Sequence, residues 1–159
     1  LNSPRIAGQE IWYLERQLKN FKTGVRGANS KDVYGMRMRP MAMTLPNDQA
    51  IADVAAYVNG LKAKPPVAKI KGDTSAGKAA YMICQTCHGA NGEGNKALNA
   101  PKLINQQDWY MVRQLKGFKE GLRGTHPKDV YGMQMRPMSL TLTDDKAINN
   151  VVSYIVTFK

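Results

Sequence analysis

The sequence repeats itself at an interval of 97 residues. Residues 1–62 align with residues 98–159 without a gap, and about 33 of the 62 aligned positions are identical. The stretches KDVYGMRMRPM and KDVYGMQMRPM, which begin at Lys31 and Lys128, differ at a single position. Identity at this level over this length is far beyond chance. The sequence therefore predicts two homologous modules that share one fold.

Residues 73–97 have no counterpart in the first module. Their counterpart would precede Leu1, where the sequence begins. We therefore interpret residues 1–62 as the C-terminal part of a first module that is truncated at its N-terminus, and residues 73–159 as a complete second module.

A stretch rich in proline and lysine, residues 63–72, lies between the two modules. The adjacent Pro65 and Pro66 cannot continue a helix and favour an extended chain. This stretch is predicted to be the linker.

Apolar residues recur at helical spacing in three parts of the second module. They predict helices over residues 73–87, 106–122 and 143–157, whereas residues 123–142 show no regular period and are expected to form a loop. No stretch alternates like a strand, so the expected fold class is all-α. Three short helices fill the core of so small a module poorly. A metal or a large cofactor is therefore expected at its centre.

The composition favours an acidic partner. The chain carries 23 Lys and Arg against 12 Asp and Glu, a net charge of +11. The basic residues are spread over helical stretches, and no nucleic-acid-binding motif accompanies them, so we expect an acidic protein surface and no nucleic acid. No apolar run is long enough to span a membrane. Association with a membrane surface stays open.

The two cysteines of the chain, Cys84 and Cys87, are followed directly by His88. A structural zinc site would need four ligands, and the one other histidine is His126. A redox dithiol would need a preceding strand within a βαβ setting. A plain disulfide or two buried free cysteines is the remaining structural alternative. Cys-x-x-Cys-His is the signature of covalent c-type haem attachment, in which both thiols add to the porphyrin vinyl groups and the histidine reaches the iron. The spacing favours one haem on this chain. A second haem would require residues upstream of Leu1.

The opposite face of the iron is commonly closed by methionine in electron carriers. The second module offers three candidates between its last two predicted helices, and the repeat retains all three in the first module, so the repeat does not choose among them. His126 competes less well, because its counterpart is Asn29. The candidates are Met133, Met135 and Met138, with counterparts Met36, Met38 and Met41.

The order of helix, Cys-x-x-Cys-His-Gly, Pro-x-Leu, helix, methionine-bearing loop and final helix resembles the class I cytochromes c. Two such modules joined by a short linker are similar to the tandem di-haem cytochrome c4 type. The resemblance covers the chain except for the haem-attachment half of the first module. It implies short helices wrapped around haem, and a soluble electron-transfer protein of the bacterial periplasm that is not an enzyme. Its implied partners are respiratory, such as a quinol-oxidising complex and a terminal oxidase.

The resemblance also implies site residues. In the family the axial methionine precedes the start of the last helix at a set distance, which here selects Met135, seven residues before Leu142. Met138 is the second choice. The same rule selects Met38 in the first module, as the ligand of a second haem if one is bound.

A family proline whose carbonyl orients the proximal histidine matches Pro101, with Pro4 as its counterpart in the first module. Other positions match a close crossing of the first and last helices or could reach the haem propionates. The crossing positions are Gly77, Tyr81 and Tyr154, and those near the propionates are Trp109, Tyr110, Arg113 and Arg136. Two other functions stay open: the cytochrome subunit or domain of a larger oxidase or reductase, and a haem enzyme or gas sensor with a displaceable sixth ligand.

Overall fold

The computed structural model describes residues 3–62 and 64–158. The outer ends of the two predicted modules, Leu1 and Lys159, and the first residue of the predicted linker, Ala63, lie outside these ranges. The described residues form seven α-helices and no strand, as expected for an all-α protein. In chain order the helices are α1 Ile11–Lys22, α2 Val33–Met43, α3 Asp48–Gly60, α4 Thr74–His88, α5 Asp108–Lys119, α6 Val130–Leu140 and α7 Asp145–Ile155.

The three helices predicted for the second module are confirmed as α4, α5 and α7. Polar side chains set the start of two of them. Asp73 accepts hydrogen bonds from the backbone amides of Ser75 and Ala76 before α4, and Asp144 accepts one from Ala147 before α7. Such bonds satisfy amide donors that have no partner within the helix, which fixes where each helix begins.

The predicted loop over residues 123–142 is wrong, because most of it forms α6. The side chain of Asp129 accepts a hydrogen bond from the Gly132 amide and caps this helix, although Pro137 lies inside it. Its Met, Gln, Arg and Leu residues are good helix formers. Apolar periodicity does not reveal this helix, because no single apolar stripe runs along it. The repeat places α2 at the equivalent position in the first module.

The core of the second module forms where α4 crosses α7. A Cβ atom at Gly77 would lie 2.1 Å from the carbonyl oxygen of Asn150, so the two helices approach at backbone distance. Tyr81 is fully buried, and its ring meets Tyr154 edge-on with the centroids 5.6 Å apart. The expected close crossing with an aromatic partner is therefore present. The buried core cluster comprises Tyr81, Met111, Leu142, Ile148, Val151, Val152 and Ile155.

The first module has a smaller core, in which α1 packs on α2 and α3 around Leu14, Ala55 and Val58. Val54 on α3 is 37% exposed, whereas its counterpart Val151 on α7 is 1% exposed. The difference arises because α4 covers α7, and no described helix covers the same face of α3.

The segment between α3 and α4 is attached to the second module by one buried carboxylate. Asp108 accepts hydrogen bonds from the backbone amides of Lys69 and Ile70, the latter at 2.6 Å. Its other oxygen accepts from the Trp109 amide at 2.7 Å. The side chain of Ser153 adds a bond to the Ile70 carbonyl at 3.4 Å. The predicted linker is therefore held against α5 and α7 along its second half.

The two modules contact each other through reciprocal bonds. The Gln106 side-chain amide donates to the Arg5 carbonyl at 3.0 Å, and the Gln9 amide donates to the Lys102 carbonyl at 3.3 Å. Each residue of one bond is the 97-residue counterpart of a residue in the other. The contact therefore has an approximate two-fold relation, as expected for two similar units that pack with the same surface.

A second reciprocal pair joins arginine to tyrosine. The guanidinium carbon of Arg16 lies 4.5 Å from the ring centroid of Tyr131, and that of Arg113 lies 3.8 Å from Tyr34. Arg16 lies on α1 and Arg113 lies on α5. Each of them packs on the tyrosine of the other module. Both distances are within the range of a favourable cation–π contact.

Candidate functional site

The cysteines and the histidine lie in the last turn of α4. Cys84 is half-buried, with its sulfur 3.8 Å from the Ala80 carbonyl, and Cys87 is exposed. They form no disulfide with each other. Residues three apart on a helix lie on the same face, so the two thiols project on one side. His88 ends the helix directly after them.

The imidazole of His88 is buried and oriented by a single backbone acceptor. It is 8% exposed, and its Nδ1 atom lies 2.8 Å from the Pro101 carbonyl oxygen. Because a carbonyl can only accept, Nδ1 carries the proton and Nε2 is left with a free lone pair. Burial lowers the pKa of His88 more than the bond to Pro101 raises it, so the ring is neutral at neutral pH. A neutral imidazole with one oriented nitrogen is suited to bind a metal.

The loop after His88 holds the Pro101 carbonyl in place. Asn95 and Ala100 exchange two backbone hydrogen bonds, of 2.8 and 3.0 Å. Gly94 has a φ of 84°, and a Cβ atom there would lie 2.6 Å from the Lys102 amide. Only glycine fits such a position, because the left-handed backbone and the close approach both exclude a side chain.

Helix α6 carries the three candidate methionines of the second module. Met135 and Met138 are half-buried and, three residues apart, share one face of the helix, whereas Met133 is exposed. His126 lies before α6, and its Nδ1 atom accepts the Lys128 amide at 3.1 Å. The helix thus separates Met133 from the other two and leaves both Met135 and Met138 as candidates.

In the first module the corresponding methionines are exposed on α2. Met38 is the least exposed of Met36, Met38 and Met41, and Pro4 is half-buried. Both histidines of the chain lie in the second module. No histidine of residues 1–62 can therefore serve opposite Met38.

Of the residues expected near the propionates, Arg113 packs on the Trp109 ring at 4.5 Å as well as on Tyr34. The Nε atom of Arg136 is buried and has no hydrogen-bond partner among the described residues. A third group of side chains, not predicted from the sequence, meets between the modules: Arg26, Gln114 and Arg123. The signal that could have found them is the repeat, since both the arginine and the glutamine recur at an offset of 97.

The alternatives to haem fit the site less well. Within residues 3–62 and 64–158 there is no cluster of three or more His, Cys, Asp or Glu residues that could hold a metal, as structural zinc would require. Burial raises the pKa of the Cys84 thiol to about 11. A reactive dithiol would need a lowered pKa instead.

The residues present fit haem c. Two unpaired thiols project from one face of a helix end, next to a buried neutral imidazole whose free nitrogen is Nε2. Half-buried thioethers lie on α6, and a buried guanidinium nitrogen without a partner lies on the same helix. Haem c needs groups of these kinds: two thiols for its vinyl groups, a nitrogen and a sulfur ligand for its iron, and a cationic partner for a propionate.

Comparison with known proteins agrees with this fit. The cytochrome c family model matches residues 74–159. Cytochrome c4 of Azotobacter vinelandii is 35% identical over 164 residues, which cover 97% of this chain and 76% of that protein. The crystal structure of reduced cytochrome c4 from Pseudomonas stutzeri superposes with a TM-score of 0.77 at 30% identity, over 99% of this chain and 86% of the other.

A third similarity is to a larger protein. Thiosulfate dehydrogenase from Marichromatium purpuratum matches 99% of this chain at 28% identity and a TM-score of 0.76, but the match spans 33% of that enzyme's chain.

None of the helices described here has the length and apolar character that a membrane span requires.

The family match covers more than half of the chain, and the cytochrome c4 relatives cover nearly all of it. Members of this family bind haem c covalently and exchange electrons with other redox proteins. The chain therefore belongs to the cytochrome c family, is homologous to the cytochromes c4, and is an electron-transfer protein with covalently bound haem c rather than an enzyme.

Proposed function

We propose that the chain attaches haem through Cys84 and Cys87 and holds the iron between His88 and Met135. The observation that carries this proposal is the buried neutral imidazole of His88, oriented by the Pro101 carbonyl 2.8 Å from Nδ1. Haem c supplies an iron that cycles between the ferrous and ferric states and so moves one electron at a time.

The residues of the chain have four tasks in this transfer. The end of α4 presents both thiols on one face, next to His88. The Pro101 carbonyl keeps the proton on Nδ1, which directs Nε2 to the metal and raises its basicity. The buried side chains of α5 and α7 exclude water from this side of the site. The Met135 thioether, as the second ligand of the iron, would favour the ferrous state and would leave no open position for a substrate.

The choice of Met135 over Met138 is tested by replacing each with leucine. The oxidised protein should show a far-red sulfur-to-iron absorption band. We expect the Met135→Leu variant to lose this band and to bind added cyanide at low concentration, while Met138→Leu keeps the band. Loss of the band in Met138→Leu alone would transfer the assignment to Met138. A wild-type protein without the band would contradict methionine ligation and favour the haem enzyme.

In the first module, we propose Met38 as the ligand of a second haem, with Pro4 equivalent to Pro101. Residues 1–62 contain no cysteine and no histidine, so this chain by itself attaches one haem. A pyridine haemochrome assay combined with the intact mass of the native protein tests this proposal: two haems per molecule support Met38 as a ligand, and one haem per molecule contradicts it. A covalent second haem would require a further attachment segment in the same molecule.

We propose that the protein works in the bacterial periplasm, between respiratory partners such as a quinol-oxidising complex and a terminal oxidase. Its net charge of +11 suits acidic partner surfaces. The electron-transfer rate with an acidic partner should fall as ionic strength rises. A rate that does not change with salt would contradict electrostatic docking.

A second candidate function is that of a cytochrome subunit or domain of a larger enzyme. It is supported by the similarity of the whole chain to one third of thiosulfate dehydrogenase from Marichromatium purpuratum. The mass and subunit composition of the native protein separate the two functions. An independent carrier purifies alone, and a subunit purifies with its enzyme.

A further inference from the structure

Two arginines from equivalent positions of the two modules meet at one glutamine. Arg26 follows α1 and Arg123 follows α5. The Gln114 side-chain oxygen accepts from Nη1 of Arg123 at 2.5 Å and from Nη2 of Arg26 at 3.4 Å. Gln17, the counterpart of Gln114, accepts from Nη1 of Arg26 at 2.5 Å. Two positive charges thus converge on neutral amides at the contact between the modules.

Within the part of the chain that the structure describes, neither arginine forms an ion pair with a carboxylate. Each guanidinium packs on a phenylalanine ring, that of Arg26 on Phe21 at 4.4 Å and that of Arg123 on Phe118 at 4.3 Å, which leaves both without a counter-charge. Arg26 is 7% exposed, and the Nε atoms of Arg26 and Arg123 are both buried without a hydrogen-bond partner in this part of the chain. The two salt bridges found among the described residues lie elsewhere and involve Lys19 and Lys116. Burial lowers the pKa of Arg26, and the charge of Arg123 lowers it further. Buried charges of one sign are costly unless a counter-charge joins them.

We propose that Arg26 and Arg123 bind an oxyanion of the carboxylate or phosphate class between the modules. Guanidinium groups bind such anions through paired N–H donors, and each arginine has its Nε donor still unused. Gln17 and Gln114 take part of the donor capacity and hold the two guanidinium groups in place. The anion would neutralise the pair and join the two modules.

The same chemistry has two sources. One is a propionate of the haem, in which case the inference rests on the haem attachment proposed above. The other is free inorganic phosphate, which does not depend on haem attachment. The arginines form one site for either anion, so the experiment has one arm for each source.

The first arm measures thermal unfolding of the haem-loaded protein in sodium phosphate and in sodium chloride of equal ionic strength. If the anion is free phosphate, phosphate raises the unfolding midpoint of the wild type, and Arg123→Gln removes this rise. Arg37→Gln is the matched control, because Arg37 is exposed and its counterpart in the second module is Gln134. The control should respond to phosphate as the wild type does.

The second arm measures the propionate bending modes of the haem by resonance Raman spectroscopy. If the anion is a propionate, these modes shift in Arg26→Lys and in Arg123→Gln and stay in place in Arg37→Gln. Phosphate then has no specific effect on unfolding, because the site is already filled. Loss of the haem absorption spectrum in the wild type would contradict the proposed attachment, and the phosphate arm would still report on the arginines.

A third variant, Gln114→Glu, places a carboxylate between the two guanidinium groups. We expect it to raise the unfolding midpoint above that of the wild type and to remove any response to phosphate. The inference is overturned if Gln114→Glu does not stabilise the protein and neither arm separates Arg123→Gln from Arg37→Gln. The arginine pair would then be a packing contact that binds no anion.

Discussion

At the scale of single residues, Asp108 shows how one carboxylate can fix the path of the chain. Its two oxygens accept three backbone amides, two of them from the segment between α3 and α4. Burial raises the pKa of Asp108, but the bonds from Ile70, Lys69 and Trp109 lower it more, so the pKa lies below its usual value. The first module has Ile11 at this position, so this attachment belongs to the second module alone.

We predict that Asp108→Asn lowers the free energy of unfolding by about 1–3 kcal/mol at neutral pH, because a charged acceptor of three amides is lost. The pKa is lower in the folded state than in the unfolded state. The stabilisation by the carboxylate is therefore complete above the unfolded pKa of about 3.9 and is lost as the pH falls through the folded value.

The measurement is denaturant unfolding of the wild type and Asp108→Asn between neutral and strongly acidic pH. Asp145→Asn is the control, since Asp145 lies on the surface in an exposed pair with Lys116. The difference between the wild type and Asp108→Asn should shrink towards acid. A difference that is independent of pH would show that the carboxylate charge plays no part.

The haem-attachment motif could be predicted from the sequence, because its chemistry depends on residues that are close together in the chain. The spacing of Cys84, Cys87 and His88 was enough to predict haem, because all three lie within one turn of helix. The junction of Arg26 and Arg123 was not predictable in this way. Residues 97 positions apart come together only through the packing of two modules. Burial and unpaired Nε atoms reveal them, and no local pattern does.

At the scale of helices, the crossing of α4 and α7 depends on Gly77. A Cβ atom there would lie 2.1 Å from the Asn150 carbonyl oxygen and 2.7 Å from its carbon. Both atoms are backbone, so the helices themselves would have to separate. Cys84 and His88 lie on the same helix, and its position sets theirs.

We predict that Gly77→Ala destabilises the protein by roughly 1–3 kcal/mol through overpacking at this crossing. Gly60→Ala in α3 is the matched control, because nothing lies within 4 Å of a Cβ atom there. The control should gain up to about 1 kcal/mol, since alanine loses less conformational entropy in a helix than glycine. Thermal unfolding of both variants decides the point, and equal effects would contradict a close crossing.

The helices divide into those that the sequence could and could not predict. Asp73 and Asp144 precede clear apolar stripes, so α4 and α7 were predicted to within a few residues. The sequence predicts a loop in place of helix α6, because the buried positions of this helix, Gly132 and Ser139, are small or polar and give no apolar stripe. A short helix that faces solvent or a cofactor on most sides carries little apolar signal.

At the scale of the whole molecule, the reciprocal contacts make the two modules one unit. Gln9 and Gln106 bond across the contact, and Arg16 and Arg113 each pack on a tyrosine of the other module. A duplicated sequence alone predicts two similar folds, but it gives no relative position. The relative position of the modules depends on contacts between side chains of both modules. The repeat shows that these side chains recur in each module, but it does not show which of them meet.

The tyrosines offer the sharpest test of this unit, because they are partly exposed and their loss should leave each module folded. We predict that Tyr34→Leu and Tyr131→Leu each lower the unfolding free energy by about 0.5–2 kcal/mol, the range of a cation–π contact. Combined, they should separate thermal unfolding into two steps and increase the radius of gyration in X-ray scattering. Tyr57→Leu is the control, since Tyr57 is 70% exposed and has no ring contact with an arginine among the described residues. If the double variant unfolds in one step at an unchanged radius of gyration, contacts other than the two tyrosines hold the modules together.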